Sequence, residues 1–302
     1  MMQQFFDSDR ELHTVNGNQG RACVTVIGTG VMGKGIVQVL AQSDHVDCIR
    51  WMGREALNVE NAASSLDNLW SLQVRKGRLD SALASNYAEK IRVIQHYEQI
   101  ADSHLVIEAI AENMAAKRAI FSGLAQVATE NMILASNTSS LSITELASLC
   151  PYPENLVGLH FFNPAPVMRL TEIIAGLATS RKTIDWAFDF AKSLGKEPVL
   201  VNEAPGFIVN RMLIPMINEA IGILAEGVAT AEEIDKAMKF GANHPIGPLA
   251  LADLIGNDVN LSIMETLHNE TGDPKYRAHP LLRKMVRANR LGRKTGHGFY
   301  KY

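Results

Sequence analysis

Cysteine is scarce: Cys23, Cys48 and Cys150 are the only three in 302 residues, they are widely spaced, and none belongs to a CxxC pair. That pattern gives no disulfide framework, and no metal site is expected. Two of the three fall inside apolar strand-like runs, which reads as reduced core thiols in a cytoplasmic protein. Long hydrophobic runs are missing too, since no stretch approaches the roughly 18 apolar residues that a membrane span requires. Residues 1–20 are polar and carry Asp7, Asp9 and Glu11, which argues against a secretory or mitochondrial presequence. They are expected to form a polar N-terminal arm that carries no chemistry. Positive charge is not in excess either: charged residues make up 20% and the formal net charge is -3. Binding a phosphate backbone calls for the opposite balance, so neither nucleic acid nor a membrane is an expected partner. Low-complexity segments and internal repeats are absent as well.

What is present is a chain 47% apolar, enough for a sizeable core and at odds with a disordered or fibrous class. The order of its elements is informative. A buried strand over Ala22 to Ile27 leads into a glycine turn and a helix from about Val31 to Gln42, and a second strand covers Val46 to Met52. Glu55 to Lys90 is amphipathic, with Leu57, Leu66, Leu69, Leu72, Leu79 and Leu83 at broadly helical spacing and Lys76-Gly77-Arg78 as a turn. This predicts a helical pair inserted into the sheet topology. Further strands are predicted at Ile91–Ile94, Leu105–Ala109, Ile133–Ser136, Leu156–Phe162, Met168–Ile174 and Glu197–Val201, with helices between several of them. The alternation predicts an α/β fold, a Rossmann-type doubly wound and mostly parallel sheet. After Asn202 no strand-like run follows, and Pro205-Gly206 opens a series of long amphipathic helices. Residues 21–203 are therefore expected to form the sheet domain and 204–302 an all-helical C-terminal domain. Pro215 predicts a kink or break in the first of those helices. The basic run Arg283 to Lys294 reads as solvated helix faces and an ordered tail.

Gly28-Thr29-Gly30-Val31-Met32-Gly33 follows the first buried strand and opens a helix, the context a dinucleotide fingerprint needs. Gly28 permits the tight turn, Gly30 lets backbone amides approach a pyrophosphate, and Gly33 lets the helix pack on the strand. The amides of Val31 and Met32 stand at the positive end of that helix, where an anion is favoured. NAD-selective sites place a carboxylate at the end of the second strand, roughly 20 residues on, to accept the ribose hydroxyls. Here that strand ends Arg50-Trp51-Met52-Gly53-Arg54, and Glu55 comes several residues late. An arginine at this point pairs with a 2′-phosphate and stacks on adenine, so Arg54, with Arg50 as the weaker candidate, leans the cofactor expectation within NAD(P)(H) towards NADP(H).

Oxidising a secondary alcohol requires a base to take the hydroxyl proton as hydride leaves the same carbon, and histidine suits that task near neutral pH. His160 alternates with Leu159 and Phe161 along a predicted strand, so it faces away from them. The turn from Asn163 to Pro166 sends the chain back and returns Glu172 close to His160. A carboxylate bonded to one imidazole nitrogen fixes the tautomer and favours the imidazolium. Ser139 follows a strand ending at Ser136, at the carboxyl edge where ligands of open α/β sheets bind. Ser142 with Glu145 offers a helix cap beside it. Asn210, early in the helix after Pro205-Gly206, is placed to reach nicotinamide or substrate across the domain interface.

Taken together, these residues resemble the 3-hydroxyacyl-CoA dehydrogenase family, especially its short monofunctional 3-hydroxybutyryl-CoA members, from about Cys23 onwards. The marks are Gly28 to Gly35, Glu108-Ala109-Ile110-Ala111-Glu112, Ser136 to Ser140, Gly158 to Pro164, Pro205 to Arg211, Pro245 to Leu249 and Gly292 to Tyr300. The resemblance implies reversible hydride transfer between a nicotinamide and C3 of a short (S)-3-hydroxyacyl-CoA. His160 would be the acid/base, Glu172 its orienting partner, and Ser139 and Asn210 the substrate contacts. It also implies Glu112, Lys117 and Asn137 against the cofactor. Trp51 is a departure, standing where family members usually have aspartate, which puts NAD selectivity in doubt. For the CoA arm, Arg75, Lys76 and Arg78 in the inserted helical pair offer positive charge for substrate phosphates. Two other readings stand beside this one: a same-fold dehydrogenase of a free hydroxy or sugar acid, similar to gulonate 3-dehydrogenase, and a catalytically silent structural protein. Apolar faces in the helical domain, with Ile208, Met212, Ile217, Ile221 and Leu224, suggest a homodimer, burial within one chain being the competing explanation.

Overall fold

The computed structural model describes residues 22–302, and the expected polar arm over residues 1–20 lies outside them. Eight strands form one sheet: β1 (Ala22–Ile27), β2 (Val46–Met52), β3 (Ile91–Ile94), β4 (Leu105–Glu108), β5 (Ile133–Ser136), β6 (Leu156–Phe161), β7 (Leu170–Ala175) and β8 (Glu197–Asn202). Their spatial order is β3-β2-β1-β4-β5-β6-β7-β8. All neighbours run parallel except β6 and β7, which pair antiparallel. The order reverses between β1 and β4, and crossovers leaving in opposite directions open a crevice there at the carboxyl ends of the strands.

Chain stereochemistry fixes the turn that floors this crevice. Gly28 has φ +125 and a Cβ there would lie 2.4 Å from the Ala109 carbonyl oxygen, while a Cβ on Gly33 would lie 2.1 Å from the Gly28 oxygen. Glycine alone satisfies both positions. Helix α1 (Val31–Ala41) then buries Ile36, Val37, Val39 and Leu40 against the sheet. The inserted pair is present as α2 (Ala56–Arg75) and α3 (Ser81–Glu89), the latter capped by Asp80, which accepts from the amides of Ala82 and Leu83. Its leucines do not all point inwards: Leu66 is buried, whereas Leu57, Leu72 and Leu83 are exposed. Helices α4 (Met114–Leu124), α5 (Ile143–Ala147) and α6 (Arg181–Ser193) complete the layers. Ser142 caps α5 by accepting from the Glu145 amide.

The second half is helical: α7 (Val209–Ala225), α8 (Ala231–Gly241), α9 (Pro248–Ile255), α10 (Asn257–Thr271) and α11 (Pro280–Arg287). Ile214, Ile217, Ile221, Leu249, Met264 and Leu267 form its core. Of the kink or break predicted at Pro215, the break is absent: α7 is helical through Pro215 to Ala225. Proline removes one hydrogen bond, and the packing of Ile214, Ile217 and Ile221 around it holds the helix. Of the face proposed for association, Ile217 and Ile221 are in this core, while Ile208 and Met212 are exposed.

The carboxyl-terminal tail is fastened to that core by two buried carboxylates. Asp253 accepts from the amides of Phe299 and Tyr300, and Asp235 accepts from those of Leu249 and Ala250 and from the Tyr300 hydroxyl at 2.8 Å. Burial, and then the neighbouring Asp235, push the Tyr300 phenol above its ordinary value of 10.0. A phenol raised on folding keeps its proton longer in the native state, so its contribution is intact below the unfolded value and lost as pH rises beyond it. Stability is therefore expected to fall as pH climbs above 10.0, and Tyr300→Phe should flatten that limb. An identical alkaline limb in the variant, measured by urea unfolding, contradicts the assignment.

Cys23 and Cys48, distant in sequence, are register partners on β1 and β2. All three cysteines are free; Cys150 is buried and Cys23 and Cys48 are partly buried. Burial pushes the Cys23 thiol up to about 12 and the Cys150 thiol up to about 11, so both resist ionisation near neutrality. Among the described residues no helix is long and apolar enough to cross a membrane, and no side-chain cluster suits a metal ion.

Candidate active site

The antiparallel step in the sheet creates the central contact. Because β6 and β7 return on each other, His160 and Glu172 are direct register partners, and neighbouring strands bring such side chains together on one face. The imidazole Nδ1 lies 2.7 Å from Glu172 Oε2, with the two side chains 5% and 1% exposed. The other carboxylate oxygen, Oε1, accepts from the amides of Ile208 and Val209, each at 3.1 Å. Those amides open α7, where backbone donors and the helix dipole favour an anion. With both oxygens of Glu172 accepting, Nδ1 is the donor and Nε2 is left for a reactant. Phe162 and Phe207 flank the ring at centroid distances of 4.4 and 5.7 Å. Phe207 sits at φ +52, a conformation that costs a bulky residue about 1–3 kcal/mol, and the Glu172 bonds to the next two amides hold the segment.

A cleft of ≈ 290 Å³ lies between the sheet domain and α10, lined by Met32, Ile110, Glu112, Asn137, Ser139 and Ser140 from one side and by Asp258, Val259, Ser262 and Ile263 from the other. Asn137 uses its side-chain oxygen on the Phe161 amide at 2.9 Å, tying the end of β5 to the strand of His160. Ser139 presents its amide to Glu112 Oε1 at 2.8 Å, and its carbonyl accepts from Asn210 Nδ2 at 3.4 Å. Asn210 and Ser139 thus meet across the two halves. A larger hollow of ≈ 340 Å³ lies at the far ends of α1 and α6, beside Gln42, Ser193 and Lys196. None of the candidate site residues lines it, whereas the smaller cleft is lined by Met32 of the glycine-turn segment and by Glu112, Asn137 and Ser139.

The remaining candidate side chains have the following surroundings. Lys117 is 1% exposed, with its ammonium on Glu108 at 2.7 and 2.8 Å and 3.5 Å from Glu112. Glu108 also accepts from Ser136 Oγ at 2.6 Å and from the Ile110 amide at 2.7 Å. This carboxylate ends the apolar run Leu105-Val106-Ile107 and is itself 0% exposed. Glu112 is partly exposed and gathers Thr138, Ser139 and Ser140 through one oxygen. Arg50 points away from the turn, to Ser103 and to Asp102 at 2.7 Å. Its guanidinium holds the Asp102 carboxyl below the usual carboxylate range. Arg54 is exposed just beyond β2, and Trp51 is fully buried. Arg75, Lys76 and Arg78 are exposed at the tip of the helical pair, and none of them lines the cleft.

Comparison with known proteins agrees with this arrangement. Residues 23–204 match the NAD binding domain of 3-hydroxyacyl-CoA dehydrogenase, and residues 206–302 match the C-terminal domain of the same family. A 3-hydroxybutyryl-CoA dehydrogenase of Clostridioides difficile is 52% identical over 279 residues, covering 92% of this chain and 99% of that one. The human mitochondrial hydroxyacyl-coenzyme A dehydrogenase is 40% identical over 285 residues, covering 92% of this chain and 90% of that one. The crystal structure of (S)-3-hydroxybutyryl-CoA dehydrogenase PaaH1 from Ralstonia eutropha superimposes with a TM-score of 0.85 at 44% identity, covering 94% of this chain and 99% of that one. With a nucleotide-type glycine turn and a buried histidine–carboxylate pair in the sheet, these matches lead to one conclusion: the chain is an oxidoreductase of the 3-hydroxyacyl-CoA dehydrogenase family.

Proposed function

We propose that the protein interconverts acetoacetyl-CoA and (S)-3-hydroxybutyryl-CoA, with the cleft between residues 21–203 and 204–302 as its active site and these ranges as its two domains. The observation that carries the reading is the buried His160–Glu172 pair, whose free Nε2 is on the ring edge away from Glu172. The glycine turn fits a dinucleotide: a Cβ on Gly30 would meet nothing within 4 Å. The helix behind it has neither a side-chain cap nor an acidic residue in its first turn. Gly28, Gly30, Val31, Met32 and Gly33 would hold the pyrophosphate, with Glu112 and Asn137 along the nicotinamide and Lys117 supporting Glu112 from below.

When bound, the nicotinamide supplies or accepts the hydride at C3. His160, protonated, gives its Nε2 proton to the oxygen forming at C3 during reduction and takes it back during oxidation. Glu172 keeps the ring oriented and stabilises its cationic form. Ser139 and Asn210 hold the thioester end from opposite domains, so domain placement and substrate placement are linked. Arg75, Lys76 and Arg78, at the exposed tip of the helical pair and outside the cleft lining, would meet the CoA phosphates where the substrate extends into solvent. A cytoplasmic homodimer joined through the exposed helical face around Ile208 and Met212 completes the picture.

NADP(H) is the favoured cofactor on two grounds, the absence of a carboxylate at the end of β2 and the exposed Arg54 beyond it. Steady-state reduction of acetoacetyl-CoA is expected to show the higher kcat/KM with NADPH, and acetoacetate or gulonate lacking CoA should be turned over poorly. A large preference for NADH overturns the cofactor assignment, and efficient turnover of the free acids overturns the substrate.

A further inference from the structure

Trp51 stands one residue before the end of β2, in register with Val26 of β1 and Val93 of β3. Its side chain is 0% exposed and packs in the core shared with Ile36, Val37 and Val59. The indole Nε1 donates to the Gly28 carbonyl at 2.8 Å, so the ring lies against the first residue of the glycine turn. In a dinucleotide site this strand end is where a carboxylate accepts the adenosine ribose hydroxyls. Indole offers one donor and no acceptor, and that donor is committed to Gly28. The flanking residues supply no acceptor either: Met52 is apolar, Arg50 is engaged by Asp102, and Arg54 only donates. Glu55, the next carboxylate in the chain, is exposed at the N-cap of α2 and makes no side-chain capping bond; it stands four residues beyond Trp51, past the end of β2.

We propose that Trp51 is a specificity-determining residue: its buried ring fills the place of the ribose-reading acid, so the adenosine 2′-hydroxyl goes unread and NADH loses its usual advantage over NADPH. The absence of a negative charge at this point also removes the repulsion that a 2′-phosphate would meet. The inference rests on the reading of the glycine turn as a dinucleotide site, and it holds whether or not Arg54 adds attraction for the phosphate.

The test is equilibrium binding, followed by the fluorescence of the reduced nicotinamide, to the full chain without acyl substrate. NADH and an NADH analogue lacking the adenosine 2′-hydroxyl should bind wild type within about twofold of each other. A hydrogen bond to a carboxylate is worth about tenfold or more in affinity, so a loss of that size for the analogue overturns the proposal. Trp51→Asp is expected to gain about tenfold for NADH and to become sensitive to the missing hydroxyl, whereas Trp51→Phe, which keeps a ring without an acceptor, should remain indifferent to it. An Asp variant that folds and binds NADH and the analogue like wild type also overturns it. Should that variant fail to fold, the comparison of the two ligands on wild type still decides. Failure of wild type to bind either NADH or NADPH would instead remove the underlying dinucleotide reading.

Discussion

His160→Gln is expected to lower turnover of acetoacetyl-CoA by about two to four orders of magnitude, with dinucleotide affinity nearly unchanged. Glutamine can still donate to Glu172 from its amide, so the buried carboxylate keeps a partner and β6 keeps its register. What disappears is a group able to give up a proton and regain it. Because the lost interaction is made only as charge develops on the substrate oxygen, kcat should carry the effect and KM should change little. Turnover within about tenfold of wild type would exceed what an uncatalysed proton transfer allows and would remove His160 from the mechanism.

Lys117→Met is expected to destabilise the protein by about 3–5 kcal/mol, because it strands the Glu108 carboxylate in the interior. On a chain of this size that corresponds to a fall in Tm on the order of 10 °C. Glu108 retains Ser136 and the Ile110 amide as donors, so the lower end of the range is the better expectation. Adding Glu108→Gln to Lys117→Met removes the uncompensated charge and should restore most of the loss. A residue that served only to touch a cofactor from the surface would leave apo stability untouched. An unchanged Tm in Lys117→Met therefore returns Lys117 to that simpler role.

The sequence carried the fold where one residue type has no substitute. Gly28 and Gly33 were legible because carbonyl oxygens stand where their side chains would go, and the strands were legible because β-branched runs alternate with helical spacing. The pairing of His160 with Glu172 was also legible, since a turn between two predicted strands allows only an antiparallel return. The remainder depended on what packs against what. Leu57, Leu72 and Leu83 follow a helical period yet are exposed, because spacing defines a face without saying whether anything covers all of it. Lys117 and Trp51 stand out in the chain, but their burial does not, because it follows from Glu108 on β4 and from Gly28 just after β1, partners that only the assembled sheet supplies. The register that sets Cys23 beside Cys48 has the same origin. At Pro215 the local preference does not end the helix, which runs on to Ala225.

The tautomer of His160, read by NMR of protein carrying nitrogen-15 histidine, tests most directly whether Glu172 governs the ring. In the neutral imidazole the proton is expected on Nδ1, with the Nε2 signal that of an unprotonated nitrogen open to a reactant. Glu172→Gln, whose amide can accept from Ile208 and Val209 while donating to Nδ1, should move the proton to Nε2 and abolish most turnover together. A wild-type ring already protonated on Nε2, or one indifferent to the change at position 172, contradicts the account.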